Sequence, residues 1–137
     1  TFGTGSIDSL ASGVDIEAVS KDLVYVSYGY NEVPRVKSSS GGAWTNVSAG
    51  HPYNGTILGM ALKAAAQNDV YVAYRNSSDS RVYVKRFNGA SWEALEGTGA
   101  LSADNAIYPQ LAIAGFSYYA AFISYDLNEK MKIMSFY

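Results

Sequence analysis

Val14-Asp15-Ile16, Met60-Ala61-Leu62 and Leu111-Ala112-Ile113 open three stretches that share one spacing. Nine residues after the last member of each stands an aromatic: Tyr25, Tyr71 and Phe122. Three residues further stands a tyrosine: Tyr28, Tyr74 and Tyr125. The period is 46 and then 51 residues. That length suits four short strands with their turns, the size of one β-propeller blade. The expectation is an all-β chain of about three blades, each of four antiparallel strands, over residues 13–50, 57–99 and 108–137. A β-sandwich is the runner-up, but a sandwich does not require the spacing to recur.

Each repeat reads as strands a to d, from inside to outside. Strand a covers Val14 to Val19, Leu58 to Ala64 and Gln110 to Ala114. Strand b covers Leu23 to Tyr28, Val70 to Tyr74 and Ala120 to Tyr125. The b segments are apolar on both faces, as strands sandwiched between neighbouring sheets are. Polar turns follow at Asn31-Glu32, Asn76 to Asp79 and Asp126 to Glu129. Strand c covers Arg35 to Ser38, Val82 to Phe87 and Lys132 to Phe136. Asn88-Gly89 then signals a hairpin, because both residues tolerate the positive φ of a type I′ turn. Strand d begins with Trp44 and with Trp92, each eight residues after Val36 and Val84. The third repeat reaches Tyr137 without a strand d. Ala61 to Gln67 is alanine-rich, yet it stands where strands a and b must join, so it reads as strand and turn.

Composition agrees with strands. Of 137 residues 48 % are hydrophobic, and tyrosine supplies 12 of the aromatics, a bias that suits sheets. The net charge is −2 and the ten basic residues are scattered, so phosphate-backbone binding is not indicated. No apolar run approaches the roughly 20 residues that span a bilayer. With no cysteine and one histidine, thiol chemistry and multi-histidine metal sites are excluded within one chain. The start at Thr1, without methionine or a signal-like segment, reads as a mature, trimmed or partial polypeptide. A secreted or cell-surface setting is favoured, although the lack of cysteine is neutral about compartment.

Val70-Tyr71-Val72-Ala73-Tyr74, Asn88-Gly89-Ala90-Ser91-Trp92 and Tyr108-Pro109-Gln110-Leu111-Ala112-Ile113 resemble blocks of bacterial β-propeller repeat proteins of sialidase-like and lectin-like kind. The resemblance spans nearly the whole chain through short, degenerate motifs, and it implies fold more than function. Gly41, Ala43 and Trp44, and Gly89, Ser91 and Trp92, are similar to the second half of an Asp-box hairpin. The box's Ser and Asp positions fall on Lys37 and Ser39, and on Lys85 and Phe87. That departure leaves the hairpin without the box.

Trp44 and Trp92 are candidates to stack on sugar rings, although a residue repeated at one position more often packs between sheets. Tyr25 and Tyr71 read as core. Tyr30, Tyr53 and Tyr108, near turns, are better placed for a ligand. Tyr30, Arg75 and Asp126 lie at or near one repeat position and are the ligand candidates, with Trp44 and Trp92 beside them. Asp15, alone in strand a, reads as a solvated residue rather than a cation ligand, and His51 as exposed. Asn46, Asn54 and Asn76 satisfy the N-glycosylation pattern. Glycosidase chemistry needs paired carboxylates or, in sialidases, an arginine cluster with a tyrosine nucleophile. Arg35, Arg75, Arg81 and Arg86 fall in strands c and b–c turns, and the acids show no pairing.

No catalytic residue, metal site or cofactor is therefore assigned. The expected function is a non-catalytic binding module, with carbohydrate as one ligand class. The alternatives are part of a sialidase-like glycoside hydrolase and a purely structural interaction propeller. An open arc of about three blades would expose apolar faces, with Val24, Val26, Phe122 and Ile123 among them. The expectation is a homo-oligomer, a dimer closing six blades with the Thr1-to-Ser6 segment near the partner's edge, or completion by a second propeller chain.

Overall fold

Antiparallel strands account for nearly all the regular structure. The computed structural model describes residues 11–95, 99–115, 117–124 and 130–136. Among them there is no helix, and none of sufficient length and apolarity to cross a membrane. The first sheet has the order β1 (Ala11–Ser20), β2 (Leu23–Tyr30), β3 (Val33–Ser39), β4 (Thr45–Asn46). The second repeats it with β5 (Ile57–Ala66), β6 (Asp69–Asn76), β7 (Val82–Phe87) and β8 (Trp92–Ala94). The third holds β9 (Ala106–Ala114), β10 (Ser117–Ser124) and β11 (Lys130–Phe136). Asp126, Tyr125, the turn expected over Asp126 to Glu129 and the Thr1-to-Ser6 segment lie outside the described residues.

The sheets stack in chain order, with β5 touching β1 on one side and β9 on the other. Val70, Val72, Tyr74, Leu62 and Phe87 of the second sheet bury Tyr25 and Val36 of the first. On its opposite side Ala61, Ala73 and Val84 meet Ala120, Leu111 and Tyr118. That two-sided contact is why β6 carries apolar side chains in an unbroken run from Val70 to Tyr74.

One backbone device ties consecutive sheets. Glu32, in the β2–β3 turn, has φ of 66°, and its carbonyl accepts from the Ile57 N–H at 2.9 Å. Ser80, in the β6–β7 turn, has φ of 59°, and its carbonyl accepts from the Ala106 N–H, also at 2.9 Å. Each left-handed residue turns its carbonyl onto the first residue of the next sheet's first strand. These first strands share a further irregularity. Between Ser12 and Asp15, Ile57 and Met60, and Ile107 and Gln110, three steps on the first strand oppose two on its partner. This bulge holds left-handed residues at Gly13, Gly59 and Tyr108.

Two expectations need correction. The type I′ turn is at Asn31-Glu32, where both φ values are positive, and not at Asn88-Gly89, where only Gly89 is left-handed. There the hairpin takes a longer loop, Phe87 pairing with Trp92, because the Asn88 carboxamide accepts from the Ala90 and Ser91 N–H groups at 3.0 Å each. The third repeat is also in a different register. Tyr25, Tyr71 and Tyr119 are each the third residue of their middle strand, and Tyr28, Tyr74 and Phe122 each the sixth. Phe122 therefore matches Tyr28 and Tyr74 rather than Tyr25 and Tyr71. The spacing of three between aromatics occurs at both 119/122 and 122/125, so sequence spacing alone selects the wrong pair.

Candidate functional site

Three tyrosines from different segments form one aromatic stack. Tyr53 comes from the connection between the first two sheets, Tyr74 from β6 and Tyr83 from β7. Tyr53 and Tyr74 lie with centroids 5.2 Å apart and planes 18° from parallel; for Tyr74 and Tyr83 the values are 5.7 Å and 14°. Tyr74 and Tyr83 pair across the β6–β7 ladder, which explains their contact. Tyr53 is brought in by the loop and held by its hydroxyl, which donates to Asn76 Oδ1 at 3.2 Å. The same oxygen accepts from the Ser78 N–H and hydroxyl. The Tyr83 hydroxyl donates to Asp79 Oδ2 at 2.6 Å. Asn76 is buried and engaged in this way, which takes it out of use as a glycosylation acceptor; Asn46 and Asn54 are exposed.

The stack borders an open cleft of about 410 Å³, also lined by His51, Asn54, Asn76 and Lys85. His51 is half-buried, not exposed as its sequence context suggests. Its Nδ1 lies 3.4 Å from Arg35 Nη1. Since guanidinium only donates, Nδ1 acts as acceptor and the ring proton sits on Nε2. Burial, and then the Arg35 charge, hold the His51 pKa below its usual value. Burial, followed by the fields of Tyr53, Tyr83 and Asp79, pushes Tyr74 up. Tyr83 is raised mainly by its hydrogen bond to Asp79. Among the described residues, the cleft lining offers side-chain donors and acceptors from His51, Asn54, Asn76 and Lys85 beside the aromatic stack.

The residues singled out from sequence do not converge. Tyr30 ends β2 with the Arg35 guanidinium 5.6 Å above its ring. Arg75 is half-buried near the end of β6, with its Nε lacking a hydrogen bond. Strand alternation puts Tyr30 on the side of Tyr28, and Arg75 on the opposite side with Tyr71 and Ala73. Neither lines the cleft. Asp126 is outside the described residues. Trp92 packs 5.4 Å from Phe87, and its indole N–H donates to Ser48 Oγ of the preceding repeat at 3.1 Å. Trp44, just before β4, is half-buried. Tyr53 is the sequence candidate that does reach the cleft. Tyr83, His51 and Lys85 were not selected, and only the strand pairing that sets Tyr83 beside Tyr74 could have revealed it.

Asp15 bridges sheets. One carboxylate oxygen accepts from its neighbour Ile16 N–H and the other from the Leu62 N–H of β5, both at 2.8 Å. Beside it Lys63 and Glu17 form an ion pair between the same strands. Arg86 is bound to Asp69 at 2.7 Å and lies over the Tyr71 ring. Among the described residues no three His, Asp or Glu side chains gather to hold a metal ion. No family model matches the chain, and no curated protein matches it significantly.

Proposed function

We propose that the three stacked sheets are blades of a β-propeller and that the chain is a non-catalytic binding module. Its ligand site is the cleft beside this stack, where Tyr53 and Tyr83 are the accessible rings and the buried Tyr74 holds them in place, and its ligand class is carbohydrate. The observation that carries this reading is the tyrosine stack beside His51, Asn54 and Lys85 at an open cleft. Sugars present C–H faces to aromatic walls and hydroxyls to neutral donors and acceptors. The non-catalytic reading is supported by the cleft lining, which includes no carboxylate among the described residues. It is also supported by the arginines, of which Arg35 is engaged with His51 and Tyr30 and Arg86 with Asp69. Glycan-array binding followed by titration calorimetry tests the proposal. Tyr53→Ala is expected to abolish any hit while the protein stays folded. An array without hits, or a hit that Tyr53→Ala leaves intact, overturns it.

A further inference from the structure

The third sheet leaves open a face that the first two sheets bury. Tyr25, Ser27 and Val36 stand on the side of the first sheet that meets the second, with Ser27 pairing with Val36. Tyr71, Ala73 and Val84 hold the same positions in the second sheet, and Tyr119, Ala121 and Ile133 in the third. All six residues of the first two sets are at most 6 % exposed. Tyr119 is 37 % and Ile133 63 % exposed, and with Ala121 they line an open apolar depression of about 260 Å³. Met131, 67 % exposed, extends it. Along β11, Lys130 and Lys132 alternate to the opposite side, so Met131 and Ile133 face outward without a charged neighbour on their strand. Val24, Val26 and Phe122, expected to be open, are buried. For Phe122 the difference follows from the register, which turns it towards Val82 of the second sheet and Tyr119 outward.

We propose that this face seats a further antiparallel sheet of the same repeat, docked as the second sheet docks on the first. The two internal interfaces define the chemistry of the occupant. It presents alternating β-branched residues and an aromatic, as Val70, Val72 and Tyr74 do against Tyr25 and Val36. On the far side of the first sheet Val24, Val26 and Tyr28 are at most 9 % exposed, whereas Ile16, which pairs with Val26, is 62 % exposed, so a second copy seated through its first sheet is the competing outcome that the test separates. The proposal stands on strand register and exposure and is independent of ligand binding.

The test lengthens the full chain after Tyr137 by a copy of its residues 40–105, which carry an outer strand, the connection and a complete second sheet. Thermal unfolding and binding of an apolar fluorescent dye are compared with the unlengthened chain. The added sheet is expected to raise the Tm by at least about 4 °C and to reduce dye fluorescence several-fold. Ile133→Lys is expected to cancel both effects in the lengthened chain and to leave the Tm of the unlengthened chain nearly unchanged. An added sheet that alters neither readout overturns the proposal. So does an unlengthened chain that is a stable dimer at micromolar concentration and that Ile133→Lys splits, since that gives the face to a second copy.

Discussion

Asp15 and His51 show how a single side chain acquires a role from its surroundings. The Leu62 N–H points from β5 towards the neighbouring sheet, and the Asp15 carboxylate accepts from it. Leu62 itself is 1 % exposed. Removing the acceptor strands a buried donor, so Asp15→Ala is expected to lower stability by about 1–3 kcal/mol in urea unfolding. Asp15→Asn keeps an oxygen acceptor and is expected to cost less. For His51 the folded pKa lies below the unfolded value, through burial and then Arg35. The unfolded chain then binds more protons, and stability falls as pH drops. The contribution is complete above about pH 6.5 and is lost as pH falls through the lowered folded value. His51→Gln is expected to remove this component, seen as a smaller drop in urea midpoint between neutral and mildly acid pH than in the parent protein.

At the scale of the element, the turns carry strain that has a use. Glu32 and Ser80 adopt left-handed backbone so that their carbonyls reach Ile57 and Ala106 of the next sheet. An L-residue in that region costs roughly 1–2 kcal/mol, while glycine adopts it freely at some entropic cost. Glu32→Gly is therefore expected to raise stability by about 0.5–1 kcal/mol, provided the hydrogen bond to Ile57 is kept. A decrease in urea midpoint would show that the Glu32 side chain contributes something beyond its backbone angle. Asn31-Glu32 also shows that turn type is not read from a favoured dipeptide: the two-residue connection between Tyr30 and Val33 takes both φ values positive without a glycine, whereas Asn88-Gly89 sits in a longer loop where only Gly89 is left-handed.

At the scale of the whole molecule, one residue type at one repeat position experiences two environments. Tyr71 is 2 % exposed, its ring 4.5 Å from that of Tyr118 on the next sheet, whereas its equivalent Tyr119 is 37 % exposed. Tyr71→Ala removes a ring from a packed interface and is expected to cost about 3–5 kcal/mol. Tyr119→Ala removes one from an open face and is expected to stay within about 1 kcal/mol in the unlengthened chain. Urea unfolding of the two variants side by side checks this. Equal losses would mean that position in the repeat, and not the covering sheet, sets the cost.

The all-β character, the order of strands within each sheet and the first two registers were legible in the sequence. The reason is local: apolar runs such as Val70 to Tyr74 and the tryptophans of Trp44 and Trp92 recur at fixed offsets, and a strand's period and turns depend on near neighbours. The core roles of Tyr25 and Tyr71 were legible for the same reason, since their repeat position lies within a doubly apolar run. The third register was not, because Tyr119, Phe122 and Tyr125 offer the same spacing twice, and only burial against the second sheet selects Phe122. The cleft was legible through Tyr53 alone. Tyr83, His51 and Lys85 come from a strand and a loop whose meeting depends on how one sheet lies upon another. Asp15 read as solvated because its partner, the Leu62 N–H, is 47 residues away along the chain. Contacts between sheets join residues about one repeat apart, and such distances are set by tertiary packing rather than by any local preference of the chain.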